Sequence, residues 1–245
     1  MKIYNMDLDK IYNEDNLQTM AKMPDNFIDI IITSPPYEDF GGAGYAGKQK
    51  DILFFKFYSD YINKLFTEYH RILKPTGQIY FNIKSKTFNK KLNTVHWLEF
   101  TDGFKLFNLK SYIIWKYAGS FDSTNKRFHL DYEIIYHLSK TDDIYLNVDC
   151  GIDDPLSSVW YVPHNISKKE GRIHPTQMPL ALVERILKVS GKKEYLVYDS
   201  FMGSGTTAIA CIDFSCNYIG SELNELHFKN SLKRIEQHKQ QIRMF

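Results

Sequence analysis

Residues 27–37 of the chain are Phe27-Ile28-Asp29-Ile30-Ile31-Ile32-Thr33-Ser34-Pro35-Pro36-Tyr37. The β-branched run at the start predicts a strand that is buried on both faces. The two prolines then end the strand, because neither can donate an N–H and both fix φ. A stiff turn follows, with bare carbonyls, the hydroxyl of Ser34 and the ring of Tyr37. Ligands of open α/β sheets bind at the carboxyl ends of strands, so this turn is either a ligand site or simply a strand that prolines stop.

The composition is that of a globular protein with one α/β domain or two small ones. The 245 residues are 43% hydrophobic and 24% charged, and the formal net charge is +2. So small a charge does not by itself indicate nucleic acid, and any DNA contact would need local basic patches. No apolar run has the length of a membrane span, the first residues lack a signal-peptide pattern, and the three cysteines suggest neither a disulfide framework nor a metal site. We therefore expect a soluble cytoplasmic protein.

Hydrophobic periodicity predicts strands that alternate with helices, which is typical of an α/β fold with a doubly wound, mostly parallel sheet. Helices are predicted at about residues 16–22, 54–73, 93–100, 178–189, 206–213 and 224–245. Strands are predicted at about residues 10–13, 27–32, 78–83, 109–116, 133–138, 195–198 and 218–220. The basic residues of the last helix are predicted to form its solvated face: Lys229, Lys233, Arg234 and Lys239.

A second motif is the loop Asp199-Ser200-Phe201-Met202-Gly203-Ser204-Gly205-Thr206-Thr207-Ala208, which follows one predicted strand and opens a helix. Its Gly-x-Gly-x-x-Ala spacing lets the backbone turn tightly and approach a ligand closely. It is not a phosphate-binding P-loop, because no lysine follows the second glycine. Glu222 comes just after the next strand, where an acidic side chain can bind both ribose hydroxyls. We interpret the loop as a nucleoside-cofactor site rather than as a structural turn.

The position of this loop in the chain indicates a permuted sheet. A dinucleotide-binding fold normally places such a loop near its beginning, but here only one strand and one helix follow Glu222. The remaining strands must therefore lie upstream, and they include the strand that ends at Ser34. In such an order the two motifs can lie on adjacent strands, so that a cofactor on one faces a substrate on the other.

The two motifs, in this order, resemble those of the β class of amino-methylating DNA methyltransferases, which use S-adenosylmethionine. The resemblance covers nearly the whole chain. Thr33–Tyr37 is similar to the catalytic (D/S)-P-P-(Y/F) motif, and Asp199–Thr206 to the cofactor loop D-x-F-x-G-x-G-T. His174–Leu180 is similar to the segment H-P-x-Q-K-P, and Tyr218–Glu222 to the segment whose acid holds the ribose.

The resemblance implies a Rossmann-like methyltransferase fold in circularly permuted order, and it assigns roles to individual residues. The catalytic residues that it implies are Ser34, Pro35, Pro36 and Tyr37. The residues that it implies for S-adenosylmethionine are Asp15, Thr33, His174, Thr176, Gln177, Asp199, Phe201, Gly203, Ser204, Gly205, Thr206 and Glu222. The sequence departs from the family pattern at three positions where glycine, lysine and proline are usual: Glu14, Met178 and Ser200. No metal site is expected, because His174 has no second ligand at a suitable spacing.

The substrate that the resemblance implies is an exocyclic amine of a base in double-stranded DNA. This nitrogen is a poor nucleophile, because its lone pair is delocalised into the ring. Hydrogen bonds to the Pro35 carbonyl and the Ser34 hydroxyl would localise that lone pair, and Tyr37 would stack on a base that has left the duplex. Serine at position 34 favours N4 of cytosine by family analogy, while N6 of adenine stays open. C5 methylation is disfavoured, because no cysteine follows a proline.

DNA phosphates are predicted to contact basic residues in two regions: Lys84, Lys86, Lys168, Lys169 and Arg172. The last three lie in segment 141–172, which we interpret as an irregular target-recognition insertion between a catalytic half (1–140) and a cofactor-binding half (173–245) of one domain. The insertion is short for reading a long site, which is compatible with a homodimer or with a short target site, and the resemblance is compatible with a cognate restriction endonuclease. Two other classes stay open, an NAD-dependent oxidoreductase and a catalytically silent DNA- or nucleotide-binding protein.

Overall fold

The computed structural model describes residues 2–3, 6–35, 52–84, 86–88, 91–93, 98–99, 101–117, 128–163, 173–174 and 176–243. Their strands are β1 (Lys2–Ile3), β2 (Met6–Asp7), β3 (Lys10–Tyr12), β4 (Ile28–Thr33), β5 (Leu73–Ile83), β6 (Lys86–Phe88), β7 (Lys91–Asn93), β8 (Asn108–Lys116), β9 (Tyr132–Ser139), β10 (Val159–Tyr161), β11 (Leu196–Asp199) and β12 (Asn217–Ser221). Their α-helices are α1 (Asn16–Ala21), α2 (Ile52–Ile72), α3 (Leu180–Ser190), α4 (Thr206–Phe214) and α5 (Glu225–Arg243). Among these residues no helix combines the length and the apolar character that crossing a membrane requires.

Eight of these strands form a central sheet in the order β10-β8-β9-β5-β4-β11-β12-β3. Only β9 runs antiparallel to its neighbours β8 and β5, and the other neighbouring pairs are parallel. Strands β4 and β11 lie side by side, with Ile30 opposite Val197 and Ile31 opposite Tyr198. This arrangement confirms the mostly parallel sheet and the adjacency of the two motif-bearing strands that the sequence predicts.

Strand β4 lies at the centre of the core because its side chains are buried on both faces of the sheet. Ile28 and Ile31 belong to a cluster that contains the buried side chains of α1 and α2. Ile30 and Ile32 belong to a second cluster, which contains the buried side chains of α3, α4 and α5. All four isoleucines are at most 1% exposed. Helices therefore cover both faces, as the continuous apolar run predicts.

Strand β5 begins earlier than the sequence predicts, because residues 73–77 already belong to the sheet. Helix α2 ends at Ile72, and Leu73 lies opposite Ile28 of β4. Gly77 permits the close approach, since a Cβ there would lie 2.7 Å from the Leu73 side chain and 3.0 Å from the Asp29 carbonyl oxygen. Residues 74–77 thus follow the end of the helix, as predicted, but they already belong to β5.

The helix predicted over residues 93–100 is wrong where the structure describes it. Asn93 ends β7, which pairs with β6 in a two-stranded antiparallel ribbon. Residues 98–99 form a short 3-10 turn, and the rest of the predicted helix lies outside the described residues. Leu98 is fully buried in the core. Its apolar side chain therefore reflects tertiary packing rather than a helical face.

The segment 141–172 is only partly the irregular insertion that the sequence predicts. Its residues 141–158 contain neither helix nor strand, in agreement with the prediction. Residues 159–161, however, form β10, which pairs in parallel with β8 at the edge of the central sheet. Residues 164–172 lie outside the described residues, and with them the predicted DNA contacts Lys168, Lys169 and Arg172.

Strand β10 belongs to the core through Trp160. This side chain is 3% exposed and lies in the same buried cluster as Ile30 and Ile32. The guanidinium carbon of Arg185, on α3, lies 5.0 Å from the centroid of the indole ring. The expectation of an irregular insertion is wrong for these three residues, because they form a strand that pairs in parallel with β8. Sequence patterns do not show such pairing.

Replacing Trp160 by alanine should lower the free energy of unfolding by about 3–5 kcal/mol, because a large buried aromatic side chain would leave a cavity. The matched control is Tyr161→Ala on the same strand, whose side chain is 64% exposed and whose loss should change stability by about 0.5 kcal/mol or less. Urea denaturation of both variants measures the difference. Equal losses would contradict the placement of β10 in the core.

Candidate active site

A buried hydrogen bond joins the ends of β4 and β11. Thr33 donates from Oγ1 to Asp199 Oδ1 at 3.0 Å, and its hydroxyl also contacts Ser200 Oγ at 2.9 Å. Asp199 accepts further hydrogen bonds from the Phe201 N–H at 3.0 Å and from Thr207 Oγ1 at 2.6 Å. One carboxylate thus holds the strand before the prolines, the glycine loop and the start of α4.

Asp199 is only 4% exposed, and this burial raises the pKa of its carboxyl group to about 6. The hydrogen bonds from Thr207, Phe201 and Thr33 oppose the shift, and the negative charge of Glu222 adds to it. Since a carboxylate only accepts hydrogen bonds, Thr33 must donate to it. Asp199 therefore joins β4, the glycine loop and α4, because its two oxygens accept hydrogen bonds from all three.

The contact between Thr33 and Asp199 continues into α2 through two more hydroxyls. Ser200 Oγ contacts Thr33 on one side and the Tyr69 hydroxyl on the other, and both Ser200 and Tyr69 are buried. A consistent order of donation runs from Tyr69 to Ser200, then to Thr33, and ends on Asp199. Ser200 stands where the family pattern has proline, so the departure seen in the sequence supplies a hydroxyl to this chain of hydrogen bonds.

The glycine loop has the open backbone that the sequence predicts. Gly203 and Gly205 have φ angles of +53° and +77°, a region that residues with a Cβ rarely adopt. The Gly203 N–H donates to Glu222 Oε2 at 2.9 Å, and the Asn224 N–H donates to Glu222 Oε1 at 2.8 Å. Glu222 thus lies beside the loop, as predicted, and fixes it to the segment after β12.

Helix α5 contacts the other side of the loop through Arg234, for which the sequence prediction is wrong. Arg234 is predicted on the solvated face, but it is 8% exposed. Its Nη1 donates to the Ser204 carbonyl at 3.0 Å and to Thr206 Oγ1 at 2.9 Å. A Cβ on Gly205 would contact Ser231 and Ile235, so residues 231, 234 and 235 form the helix face toward the loop. The i, i+3, i+4 spacing of Ser231, Arg234 and Ile235 was the available signal.

The segment around His174 lies against the glycine loop. Nε2 of His174 would be 4.0 Å from a Cβ on Gly203, and its Nδ1 accepts from the Thr176 N–H at 3.2 Å. Burial, together with the neighbouring His227, lowers the pKa of His174 to about 4, so the ring is neutral at pH 7. Gln177 is buried, and its Oε1 accepts from the Ile173 N–H at 3.0 Å. The structure therefore brings this predicted segment to the predicted loop.

Asp15 also reaches this end of the sheet. Its carboxylate caps α1 by accepting from the Leu17 N–H at 2.8 Å. The next residue, Asn16, donates to the Ser200 carbonyl at 3.3 Å and to the Tyr61 hydroxyl at 2.9 Å. The first turn of α1 is thereby tied to the glycine loop, which brings Asp15 close to the other predicted cofactor residues.

The predicted catalytic turn is described as far as Pro35, and Pro36 and Tyr37 lie outside the described residues. Ser34 follows Thr33 directly, and Asn82 of β5 donates from Nδ2 to Ser34 Oγ at 3.4 Å. Asn82 also donates to Glu133 Oε2 of β9 at 2.8 Å. The motifs quoted from the sequence contain neither residue. Asn82 is a polar residue inside the apolar end of its strand, and this is the signal that the sequence offers for it.

Two of the predicted DNA contacts, Lys84 and Lys86, lie within the described residues. The Lys84 amine contacts the Tyr117 hydroxyl and lies 3.9 Å from Glu133 Oε1, so it is directed at protein groups. Burial, with the charge of Glu133 nearby, raises the pKa of Tyr117, which keeps its hydroxyl protonated. Lys86 begins β6. Contact of either lysine with DNA stays a prediction.

The open side of the glycine loop fits the nucleoside part of S-adenosylmethionine. A Cβ on Gly203 would meet no atom nearer than 3.7 Å, so a ligand can approach the backbone there. A carboxylate has about four lone-pair sites, and within the part of the chain that the structure describes a backbone N–H group takes one site on each oxygen of Glu222. The other sites can accept hydrogen bonds from the two ribose hydroxyls.

A glycine loop joined to a proline turn at the carboxyl ends of adjacent strands is the arrangement that the resemblance to methyltransferases implies. A family model described as DNA methylase, for N6 and N4 methyltransferases, matches residues 28–233. This match spans most of the chain, which therefore belongs to the N6/N4 DNA methylase family. Membership excludes the oxidoreductase alternative.

Individual relatives agree with this assignment. The DNA adenine methyltransferase YhdJ of Escherichia coli K12 is 28% identical over 257 residues, which cover 92% of this chain and 82% of the relative. The fold is similar to that of the PvuII DNA methyltransferase, which is cytosine-N4-specific, with a TM-score of 0.78 and 18% identity over 94% of this chain and 90% of that chain. The M1.HpyAVI–S-adenosylmethionine complex is also similar, with a TM-score of 0.67 and 22% identity over 92% of this chain and 98% of that chain.

Further curated relatives are type II methyltransferases. The chain is therefore an S-adenosylmethionine-dependent DNA methyltransferase of the N6/N4 family. Its relatives include both an adenine enzyme and an N4-cytosine enzyme, so family membership does not select the base.

Replacing Arg234 by methionine should weaken binding of S-adenosylmethionine by about tenfold or more, because the carbonyl of Ser204 and the hydroxyl of Thr206 would lose a charged donor. Lys233→Met is the matched control, since Lys233 is an exposed neighbour on the same helix and should leave affinity unchanged. Isothermal titration calorimetry measures both variants. Equal affinities in the two variants would contradict a role of Arg234 in shaping the loop.

Proposed function

We propose that this methyltransferase transfers the methyl group of S-adenosylmethionine to the exocyclic N4 amine of cytosine in duplex DNA. The alternative within the same family is the N6 amine of adenine. Serine at position 34 supports cytosine by family analogy, and so does the likeness in fold to a cytosine-N4-specific enzyme. The similarity to an adenine methyltransferase supports the alternative.

The observation that supports methyl transfer at this site most strongly is the hydrogen bond between Thr33 and Asp199. It connects the residue before Ser34-Pro35 to the residue that opens the cofactor loop. A target amine held by the first motif would therefore be adjacent to a cofactor held by the second. Such proximity supplies much of the acceleration in a transfer between two bound partners.

The residues of the chain have distinct tasks in this proposal. Bound S-adenosylmethionine supplies an electrophilic methyl group. Glu222 binds the ribose, and the backbone at Gly203 and the segment around His174 line the same pocket. The Pro35 carbonyl and the Ser34 hydroxyl accept hydrogen bonds from the target amine, which localises the nitrogen lone pair for in-line attack.

The base must leave the duplex to reach these groups, since its amine is otherwise paired. Tyr37 stacks on the flipped base in this proposal. Binding of duplex DNA uses the basic residues predicted for the phosphates: Lys84, Lys86, Lys168, Lys169 and Arg172. Segment 141–172 reads the target sequence, and a second copy of the chain and a cognate restriction endonuclease are the further partners that we propose.

In vitro methylation of genomic DNA, followed by mapping of modified bases at single-base resolution, tests the proposal. We expect N4-methylcytosine at one short sequence. N6-methyladenine as the sole product would contradict the choice of base, and the absence of any product would favour a catalytically silent DNA-binding protein. Ser34→Ala provides a second test, and we expect a rate lower by about tenfold or more, because the site loses a hydroxyl that bonds to the target base.

A further inference from the structure

A buried polar pair, Asn82 and Glu133, lies next to Ser34 at the carboxyl end of β5. The two side chains are 4% and 5% exposed. They meet because β9 runs antiparallel to β5, which brings the amino end of β9 to the edge of the sheet where β5 ends. Asn82 is therefore buried, polar and in contact with Ser34, which is proposed to bind the target base.

The orientation of the Asn82 amide follows from its neighbours. Its Nδ2 donates to Glu133 Oε2 at 2.8 Å and contacts Ser34 Oγ at 3.4 Å. The opposite orientation would direct the amide oxygen at a carboxylate, where two acceptors would repel each other. The hydrogen bond to Glu133 thus fixes Nδ2 of Asn82 toward Glu133, and Oδ1 of Asn82 points away from Glu133.

The amide oxygen of Asn82 is a buried acceptor without a donor among the described residues. Most buried polar atoms are hydrogen-bonded, and an exception needs an explanation. Gln78, on the same strand, shows the usual case. Its Nε2 donates to the Tyr145 carbonyl at 2.9 Å, and its Oε1 contacts His137 Nε2 at 2.8 Å. The unpaired acceptor therefore lies at the ligand end of the strand, while the amide in the strand interior is paired.

We propose that Asn82 is a contact for the target base, with Oδ1 accepting a hydrogen bond from the exocyclic amine. The amine has two N–H groups, and the Pro35 carbonyl can accept from only one of them, so the other needs a second acceptor. One N–H group of the amine donates to the Pro35 carbonyl, and the other donates to Asn82 Oδ1 in place of the Ser34 hydroxyl. Ser34 Oγ already accepts from Asn82, and its own O–H donates to the ring nitrogen beside the amine. Glu133 is a positioning residue that acts through Asn82.

This arrangement selects between bases by their hydrogen-bonding edge. Cytosine and adenine both present an amine donor beside a ring-nitrogen acceptor, whereas thymine presents a carbonyl acceptor beside an N–H donor. An acceptor at Asn82 and a donor at Ser34 match the first pattern and oppose the second. The inference rests on amine methylation, which the family establishes, and holds for either N4 or N6 as the target.

Binding of two duplexes tests the inference. Both contain the recognised sequence from the methylation map, and one has the natural target base. In the other that base lacks its amine, as 2-pyrimidinone in place of cytosine or purine in place of adenine. Dissociation constants are measured by fluorescence anisotropy with S-adenosylhomocysteine present, so that no turnover occurs. We expect the wild-type protein to prefer the amine-bearing duplex by about five- to tenfold, and Asn82→Ala to show a clearly smaller preference, which the Pro35 carbonyl alone maintains.

The matched control is Gln78→Ala, which removes a buried amide from the same strand and should keep the wild-type preference. Titration with S-adenosylhomocysteine shows whether the alanine variant folds. If it folds poorly, Asn82→Leu is the second variant, because leucine has nearly the same shape as asparagine and lacks the amide. A wild-type preference in a folded Asn82 variant would overturn the inference, because Oδ1 would then bind only water. The comparison uses whichever base the map identifies, so a wrong choice of base leaves this result interpretable.

Discussion

The hydrogen bond from Thr33 to the buried carboxylate of Asp199 is the interaction on which the site depends. It can form only because β4 and β11 are neighbours in the sheet, although the chain between them folds into most of the other strands. The same carboxylate accepts from Phe201 and Thr207, so a change at Asp199 would affect the strand, the loop and α4 together. Methyl transfer needs two ligands in one geometry, and this junction fixes the two segments that are proposed to hold them.

Local patterns allowed the central features to be predicted. The strand before the prolines, the glycine loop and the position of Glu222 after a strand can each be recognised from residues that are close in sequence. The permuted order followed from counting the strands that remain after Glu222. Tertiary contacts explain the failures. Trp160 is buried because a three-residue strand pairs with β8, and Arg234 is buried because a loop 30 residues upstream places its carbonyl there.

The Asn82–Glu133 pair illustrates a different limit of sequence analysis. Each residue interrupts an apolar strand, which indicates a polar role, but the two are 51 positions apart and meet only through the reversed direction of β9. Ser200 shows the converse. It departs from the family pattern, yet its hydroxyl connects Tyr69 to Thr33. Departures from a family motif can thus supply contacts that only the structure identifies.

The most direct test of the central claim is the single-turnover methyl-transfer rate of Thr33→Val, which keeps the shape of the side chain and removes its hydroxyl. We predict a rate lower by about tenfold or more, with the protein still folded, because Asp199 loses the donor that joins the two motifs. Thr67→Val, at an exposed helical position, is the control and should keep the wild-type rate. A wild-type rate for Thr33→Val would contradict the claim that this hydrogen bond aligns the two halves of the site.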